Sequence, residues 1–314
     1  MSIAKFVTLR VADVQEIAPT LKQVTFVKSD GGLLPTSMPG AHITLSIKGK
    51  DKIHRNSYSL IGAPDCRDAY QIIVRRLDNS RGGSAFVHDQ LQVGDVLDAT
   101  FPNSQFCLQS KAKRHLLIGG GVGVTPFLSF LSAFREQTVP IEFHQFARAA
   151  EVPFFEKLLA PFHGVRTTVH GGPAHRIAEI LERQPLGTHV YTCGPTKLMD
   201  DVLDSARRRG WPEANLHLES FGGAGGAPFE IELARSGRTI SVGEHETMLE
   251  AMEAAGMDAP SLCRGGACGE CVTRVIAGSP DHRDHFLTAA EKSEGKLVMP
   301  CVSRSLSPAL VLDL

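Results

Sequence analysis

Cys263, Cys268 and Cys271 fall within nine consecutive positions of the stretch SLCRGGACGECV, and a fourth thiol, Cys301, follows 30 residues on. Nothing else in the chain is as restrictive. A disulfide, a zinc site, a nucleophilic thiol and an iron–sulfur cluster are the chemistries that such a glycine-rich loop serves. The seven cysteines are an odd number, with four gathered after position 262, which is not the arithmetic of a disulfide framework. The first 26 residues hold no apolar core of signal-peptide length. No segment reaches the roughly 20 apolar residues that span a bilayer. The expected location is therefore the cytoplasm, where thiols stay reduced.

Structural zinc usually draws on two tight Cys/His pairs, whereas here the first pair is spaced x4 and the fourth cysteine stands alone. The spacing Cys263-x4-Cys268-x2-Cys271…Cys301 is that of a plant-type [2Fe–2S] centre. Gly265, Gly266 and Gly269 let the backbone wrap closely and turn amide N–H groups toward sulfur. Zinc remains the alternative on spacing alone. Cys66 and Cys107 read as small packed or surface thiols. His282 and His285, in DHRDH, read as part of a solvated loop, since four thiolates already complete a cluster.

The 314 residues suffice for two or three domains. A net charge of −1 and a pI near 6.9 supply no overall basic field for nucleic acid or an anionic membrane, and neither is expected as a partner. Residues 1–109 read as short alternating strands, the pattern of an antiparallel β-barrel, interrupted by one helix-like piece, GGSAFVHDQL. From residue 110 to 221 strands alternate with helices, the mark of an α/β domain with a parallel sheet. There Thr125 is placed to cap a helix whose first position is Pro126. Residues 222–228, rich in glycine, read as a flexible linker, and residues 229–314 as a compact unit around the cysteine loop.

Glycines 119, 120, 121 and 123 sit between a strand and a helix, a natural seat for a pyrophosphate. The pattern departs from the Rossmann fingerprint, since Gly121-x-Gly123-x-x ends in Pro126. Cys193-Gly194-Pro195 ends another strand at the carboxyl edge, where such sheets hold ligands.

YSL, RGGS, GGGVGVTP, TCGPTKLMD, ESFG, CRGGACGEC, DHRD, CVSRS and LVLDL together make the chain resemble the phthalate dioxygenase reductase and vanillate O-demethylase reductase family, within the ferredoxin–NADP reductase superfamily. The resemblance covers essentially the whole chain. It implies three domains in order: an FMN-binding barrel, a nicotinamide-nucleotide domain and a C-terminal β-grasp ferredoxin. It further implies an NADH-dependent oxidoreductase that passes electrons to a terminal, Rieske-type oxygenase. By the same likeness Tyr58 lies against the isoalloxazine ring, Ser59 bonds near its N5, and Phe221 covers its other side. Cys193 then stands by the nicotinamide, and Gly121, Gly123, Thr125, Pro126, Gly194 and Pro195 bind the nucleotide. Ser59, Cys193 and Phe221 are the candidate catalytic residues.

Many relatives read Arg-x-Tyr-Ser, the arginine contacting the flavin phosphate; here that position is Asn56 and the arginine is Arg55. Strand neighbours face opposite sides, so Arg55 is expected to point away from Tyr58. Arg75, Arg76 and the Gly82-Gly83-Ser84 turn are then the candidates for the phosphate. FMN is favoured over FAD, because FAD-using relatives usually carry the ferredoxin at the other end. A haem-monooxygenase acceptor, or a redox-sensing iron–sulfur flavoprotein, is the competing reading. Other Glu and His residues read as solvated faces or core partners.

Overall fold

The computed structural model describes residues 6–48, 53–78, 82–104, 106–134, 139–172, 176–221 and 225–314. Arg81 of the RGGS run and residues 222–224 of the expected linker lie outside the described residues. The chain divides into two compact units, 1–219 and 220–314.

The first unit opens with β1 (Phe6–Ala18), β2 (Leu21–Lys28), β3 (His42–Lys48), β4 (Ile53–Ser59), β5 (Tyr70–Arg75), α1 (Gly83–Asp89) and β6 (Val96–Thr100). The strands form one antiparallel sheet in the order β4-β3-β6-β1-β2-β5. Its alternation is clearest in β1, where Val7, Leu9 and Val11 are buried and their neighbours exposed. With Phe26, Ile43, Leu45 and Ile72 they fill the core around which the sheet wraps.

A parallel sheet follows, of β7 (Arg114–Gly120), β8 (Ile141–Ala147), β9 (Arg166–Gly171), β10 (Thr188–Cys193) and β11 (Leu216–Glu219), ordered β11-β10-β7-β8-β9. Helices α2 (Thr125–Ala133), α3 (Val152–Leu159), α4 (Ile177–Glu182) and α5 (Thr196–Arg208) join these strands. Thr125 is not the cap of α2. Residues 121–124 already form a 3-10 turn, so the Thr125 hydroxyl donates back to the Val122 carbonyl at 3.0 Å.

Besides the core of the antiparallel sheet, one cluster crosses the boundary expected near residue 110. Leu21, Ile61, Ile73 and Phe106 pack with Leu117, Phe127, Phe130 and Tyr191 in one cluster that spans both sheets. The Phe106 ring lies 5.9, 5.7 and 5.8 Å from the rings of Phe127, Phe130 and Tyr191. Strand β5 consequently has cores on both faces: Tyr70, Ile72 and Val74 enter the first, and Ile73 the second. Its apolar run fails to alternate for that reason.

The second unit contains β12 (Phe229–Leu233), β13 (Arg238–Val242), α6 (Met248–Ala254), β14 (Thr273–Ala277), β15 (Pro280–Asp281), α7 (Ala289–Glu294), β16 (Leu297–Val298), β17 (Arg304–Ser305) and β18 (Ala309–Leu312). The sheet order is β13-β12-β18-β14-β16, with β12 and β18 parallel. A capping box of Thr247 and Glu250 starts α6, which buries Met248 and Met252 against the sheet. The C-terminal part of the expected linker is not a loose tether. Arg304, 2% exposed, donates to the carbonyls of Gly226 (3.2 Å) and Ala227 (2.9 Å) as well as Gly243 and Glu246. Arg283 adds a bond to Gly225 O at 2.6 Å. Among the described residues no helix is long and apolar enough to cross a membrane.

Burial holds the pKa of His42, His115, His170 and His217 down to about 4. A histidine depressed by folding is neutral in the native state while the unfolded chain takes up a proton near pH 6.5. Its stabilising contribution is complete above that value and shrinks as pH falls toward the native pKa. The urea midpoint is expected to be level above pH 7 and to drop steadily between pH 6.5 and 4. A midpoint unchanged over that window would contradict neutral burial of these rings.

Candidate functional site

Strands β7 and β10 are parallel neighbours, with Gly119 opposite Cys193, so both glycine motifs emerge at one carboxyl edge. They interlock there. A Cβ on Gly123 would stand 2.2 Å from the Cys193 carbonyl oxygen, and one on Gly194 (φ +153°) 2.9 Å from the Gly120 Cα. Only glycine permits this approach, which leaves a backbone-lined crevice at the start of α2.

Next to Cys193, on β11, stands Glu219, and His42 reaches it from β3 with Nδ1 3.9 Å from Oε1. Burial first, then the Glu219 charge, pushes the Cys193 thiol well up, so it stays a neutral thiol. His42 pairs in register with Ser59, which is buried and whose Oγ finds no hydrogen-bond partner among the described residues. Ser59, His42, Glu219 and Cys193 thus stand as successive neighbours in the first unit. Glu219 and His42 carry no motif signal of their own beyond the Glu of ESFG; sheet adjacency alone reveals them.

Tyr58 packs against the first core. The β3–β4 register runs without a shift, and Arg55 points away from the Tyr58 side, as alternation predicts. It lines an open cleft of about 710 Å³ with Phe6, Ser46, Ile53, Val96 and Asp98. On the Tyr58 side, Asn56 and His54 meet the RGGS turn: Cβ atoms on Gly83 and Gly82 would lie 2.3 Å from Asn56 Oδ1 and 2.4 Å from the His54 ring. His54 was invisible as a candidate because only the fold brings it to the turn. A glycine turn packed this closely on β4 is a backbone seat that suits the phosphate tail of a flavin.

The two arginines proposed for that phosphate go elsewhere. Arg76 forms a fork with Asp89, at the far end of α1 from Gly82, through Nε (3.3 Å) and Nη2 (2.9 Å). Arg75 donates from Nη1 to Glu151 at 2.9 Å. Its buried Nη2 has no partner among the described residues and lies 3.6 Å from where a Gly121 Cβ would stand. Arg75 therefore stands beside Gly121, at the end of β7. Thr125 and Pro126 are buried in α2. Phe221 falls in the second unit and is 42% exposed.

In that second unit the four cysteines come together as two pairs. Cys271 Sγ lies 3.3 Å from Cys301 Sγ, and Cys263 hydrogen-bonds Cys268. Amides of Gly265 and Glu270 face Cys263 and Cys268 at 3.4 and 3.5 Å. The Cys263 thiol is held down to about 5, first by the Cys268 hydrogen bond and, against burial, by backbone N–H groups. Giving those bonds to their partners pushes Cys268 and Cys301 up, with burial adding to it. Among the described residues no three His, Cys, Asp or Glu side chains converge as one metal ion requires. Two thiol pairs fed by amide donors fit a two-iron centre.

The DHRDH segment is only partly solvated, with Arg283 exposed and Asp284 buried. Asp284 has no exposed side-chain surface, and the His282 side chain is 11% exposed. Cys66 is exposed, and Cys107 contacts Ser104 Oγ at 3.1 Å.

Gly123→Ala must force β7 and β10 apart at the crevice. It is expected to lower kcat/KM for NADH by about 10²-fold while leaving the visible spectrum of the cysteine centre unchanged. Steady-state kinetics and absorption spectra check both halves of that expectation.

Residues 231–306 match the family described as "2Fe-2S iron-sulfur cluster binding domain". Residues 99–216 match "Dimethylamine monooxygenase subunit DmmA-like, N-terminal domain". The heme-dependent oxidative N-demethylase beta subunit of Ectopseudomonas mendocina (strain ymp) is 38% identical, over 98% of each chain. The carnitine monooxygenase reductase subunit of Escherichia coli (strain K12) is 36% identical, over 100% of each. A solved structure of phthalate dioxygenase reductase superposes with a TM-score of 0.81, at 33% identity and 98% of both chains. With its glycine crevice, paired thiols and end-to-end likeness to these reductases, the chain belongs to the phthalate dioxygenase reductase-like family, oxidoreductases that end in a [2Fe–2S] ferredoxin domain.

Proposed function

We propose that the chain is the reductase component of a multicomponent oxygenase or demethylase, moving electrons from NADH through FMN and [2Fe–2S] to a Rieske-type terminal oxygenase. The observation that carries this reading is the meeting of the two glycine motifs beside the neighbouring Ser59, His42, Glu219 and Cys193, in one polypeptide with four paired thiols. In this reading residues 1–109 hold FMN, residues 110–221 hold NADH, residues 222–228 connect, and residues 229–314 hold the cluster. The cytoplasm is its location, since the thiols must stay reduced.

FMN, when bound, takes a hydride and releases electrons singly, and a [2Fe–2S] cluster carries one. The chain's own residues supply placement. Tyr58 and Ser59 would hold the ring, with Asn56 and the Gly82-Gly83-Ser84 turn at the phosphate in place of the usual arginine. Gly121, Gly123, Thr125, Pro126, Gly194 and Pro195 would seat the nucleotide, with Arg75 beside its phosphates. Cys193, kept neutral by burial and Glu219, would pack on the nicotinamide ring and attack nothing. Phe221 keeps the ring-covering role that the resemblance implies. Cys263, Cys268, Cys271 and Cys301 would hold the irons, one pair to each. A haem-dependent terminal component is the second reading, favoured by the likeness to the Ectopseudomonas subunit.

After β8 a 2′-phosphate would meet exposed Arg148 close to the Glu151 carboxylate, which Arg75 engages. NADH is therefore expected to give the higher kcat/KM, and steady-state kinetics with NADPH as competitor settle it.

The wild-type protein is expected to release FMN and to carry the two irons of one cluster. Cys268→Ser should keep NADH-dependent ferricyanide reduction, which draws directly on the flavin, and lose electron delivery to the oxygenase. Stoichiometric FAD, or oxygenase turnover at the wild-type rate in Cys268→Ser, would defeat the proposed electron route.

A further inference from the structure

The buried carboxylate of Asp284 has a costly position that the cysteines alone do not explain. Its Oδ2 accepts from Leu287 N at 2.9 Å and its Oδ1 from Ser303 Oγ at 3.4 Å. Lys292 Nζ stands 3.6 Å from Oδ2, and His282 Nδ1 3.7 Å from Oδ1. Ser303 also accepts the Arg283 N–H at 3.2 Å, and it follows Cys301 by two residues.

Asp284 also borders the other thiol-bearing segment. The next residue, His285, donates its N–H to the Gly266 carbonyl at 2.9 Å. Gly266 (φ +75°) is wedged: a Cβ there would lie 2.7 Å from Val302 Cγ2 and 3.1 Å from Asp284 Cα. The N–H of the preceding residue, Gly265, meets the Cys263 sulfur at 3.4 Å. The carboxylate thus joins the Cys263–Cys271 loop to the segment of Cys301.

We infer that Asp284 is a positioning residue for the iron–sulfur centre: bonded to Ser303 beside Cys301 and seated against Gly266, it holds the register in which the Gly265 N–H meets the Cys263 sulfur. This rests on the reading that the four thiols hold a [2Fe–2S] cluster. An N–H bond to a cluster thiolate favours the more negative, reduced form and raises the potential. Losing the bond lowers it.

The test uses the full-length holoprotein with Asp284→Asn and Asp284→Ala. Both remove the same charge, so charge alone moves their potentials equally. Asparagine keeps an oxygen that accepts from Leu287 N and an NH2 that can donate to Ser303 Oγ, and alanine keeps neither. The cluster's midpoint potential in Asp284→Ala is expected to lie below that in Asp284→Asn, with shifted g-values in the reduced EPR spectrum. Equal potentials and identical spectra overturn the inference. If Asp284→Ala does not take up iron, Ser303→Ala replaces it without changing charge. Its potential is expected below that of the wild type, and an unchanged value overturns the inference. Absence of any cluster signal in the wild type would overturn the cluster reading and this inference together, whereas equal potentials strike the inference alone.

Discussion

The packing of Phe106 between the two sheets of the first unit is the contact on which the site depends. Its ring touches those of Phe127, Phe130 and Tyr191, and Leu21, Ile61 and Ile73 complete the same core from the antiparallel side. Each such aromatic side chain, fully buried, contributes about 1.5–3 kcal/mol. Aromatic pairing adds about 0.5–1.5 kcal/mol per pair. Because this core is shared, His42 from one sheet is held against Glu219 from the other, and Arg75 against Glu151. Separate cores would leave those partners free to drift, and the crevice would have one wall.

Buried polar atoms without hydrogen-bond partners among the described residues occur in both units, the His282 ring nitrogens of the second among them. In the first unit, Ser59 Oγ, Arg75 Nη2 and Gln145 Oε1 are buried without partners among the described residues, and each borders the glycine crevice or His42, the neighbour of Glu219. Buried polar atoms ordinarily find hydrogen bonds, so their clustering marks surfaces shaped for ligand atoms. In the second unit Arg304 reaches four backbone carbonyls, and the Asp284 carboxylate has bonds to both oxygens. There the polar groups build a rigid frame around the thiols, which suits a centre that must change charge with little rearrangement.

The cysteine spacing was legible in the sequence because loop ligation is local: three of four thiols lie within nine residues, and glycine requirements travel with them. Strand and helix types were legible for a similar reason, since β1 alternates and α6 carries its own capping box. The unbroken β3–β4 register also kept Arg55 on the side that simple alternation assigns to it. Local rules failed where neighbours came from afar. Thr125 was displaced as a cap by a turn that the glycines allow, and Asp284 within DHRDH proved buried, bonded by Ser303.

By itself, then, the sequence determined the order of the sheets, the two glycine motifs, and the four thiols that mark the ferredoxin unit. These depend on side-chain period, backbone freedom and short loops, all encoded within a few residues. Only the tertiary structure decided that Arg75 faces Gly121 rather than the RGGS turn, that Arg76 is spent on Asp89, and that Glu219 and His42 join Ser59 and Cys193. It likewise decided that Arg304 holds the Gly226–Ala227 carbonyls, turning part of an apparent tether into framework. Such choices follow from which strands become neighbours and which faces are buried, and long-range packing sets both.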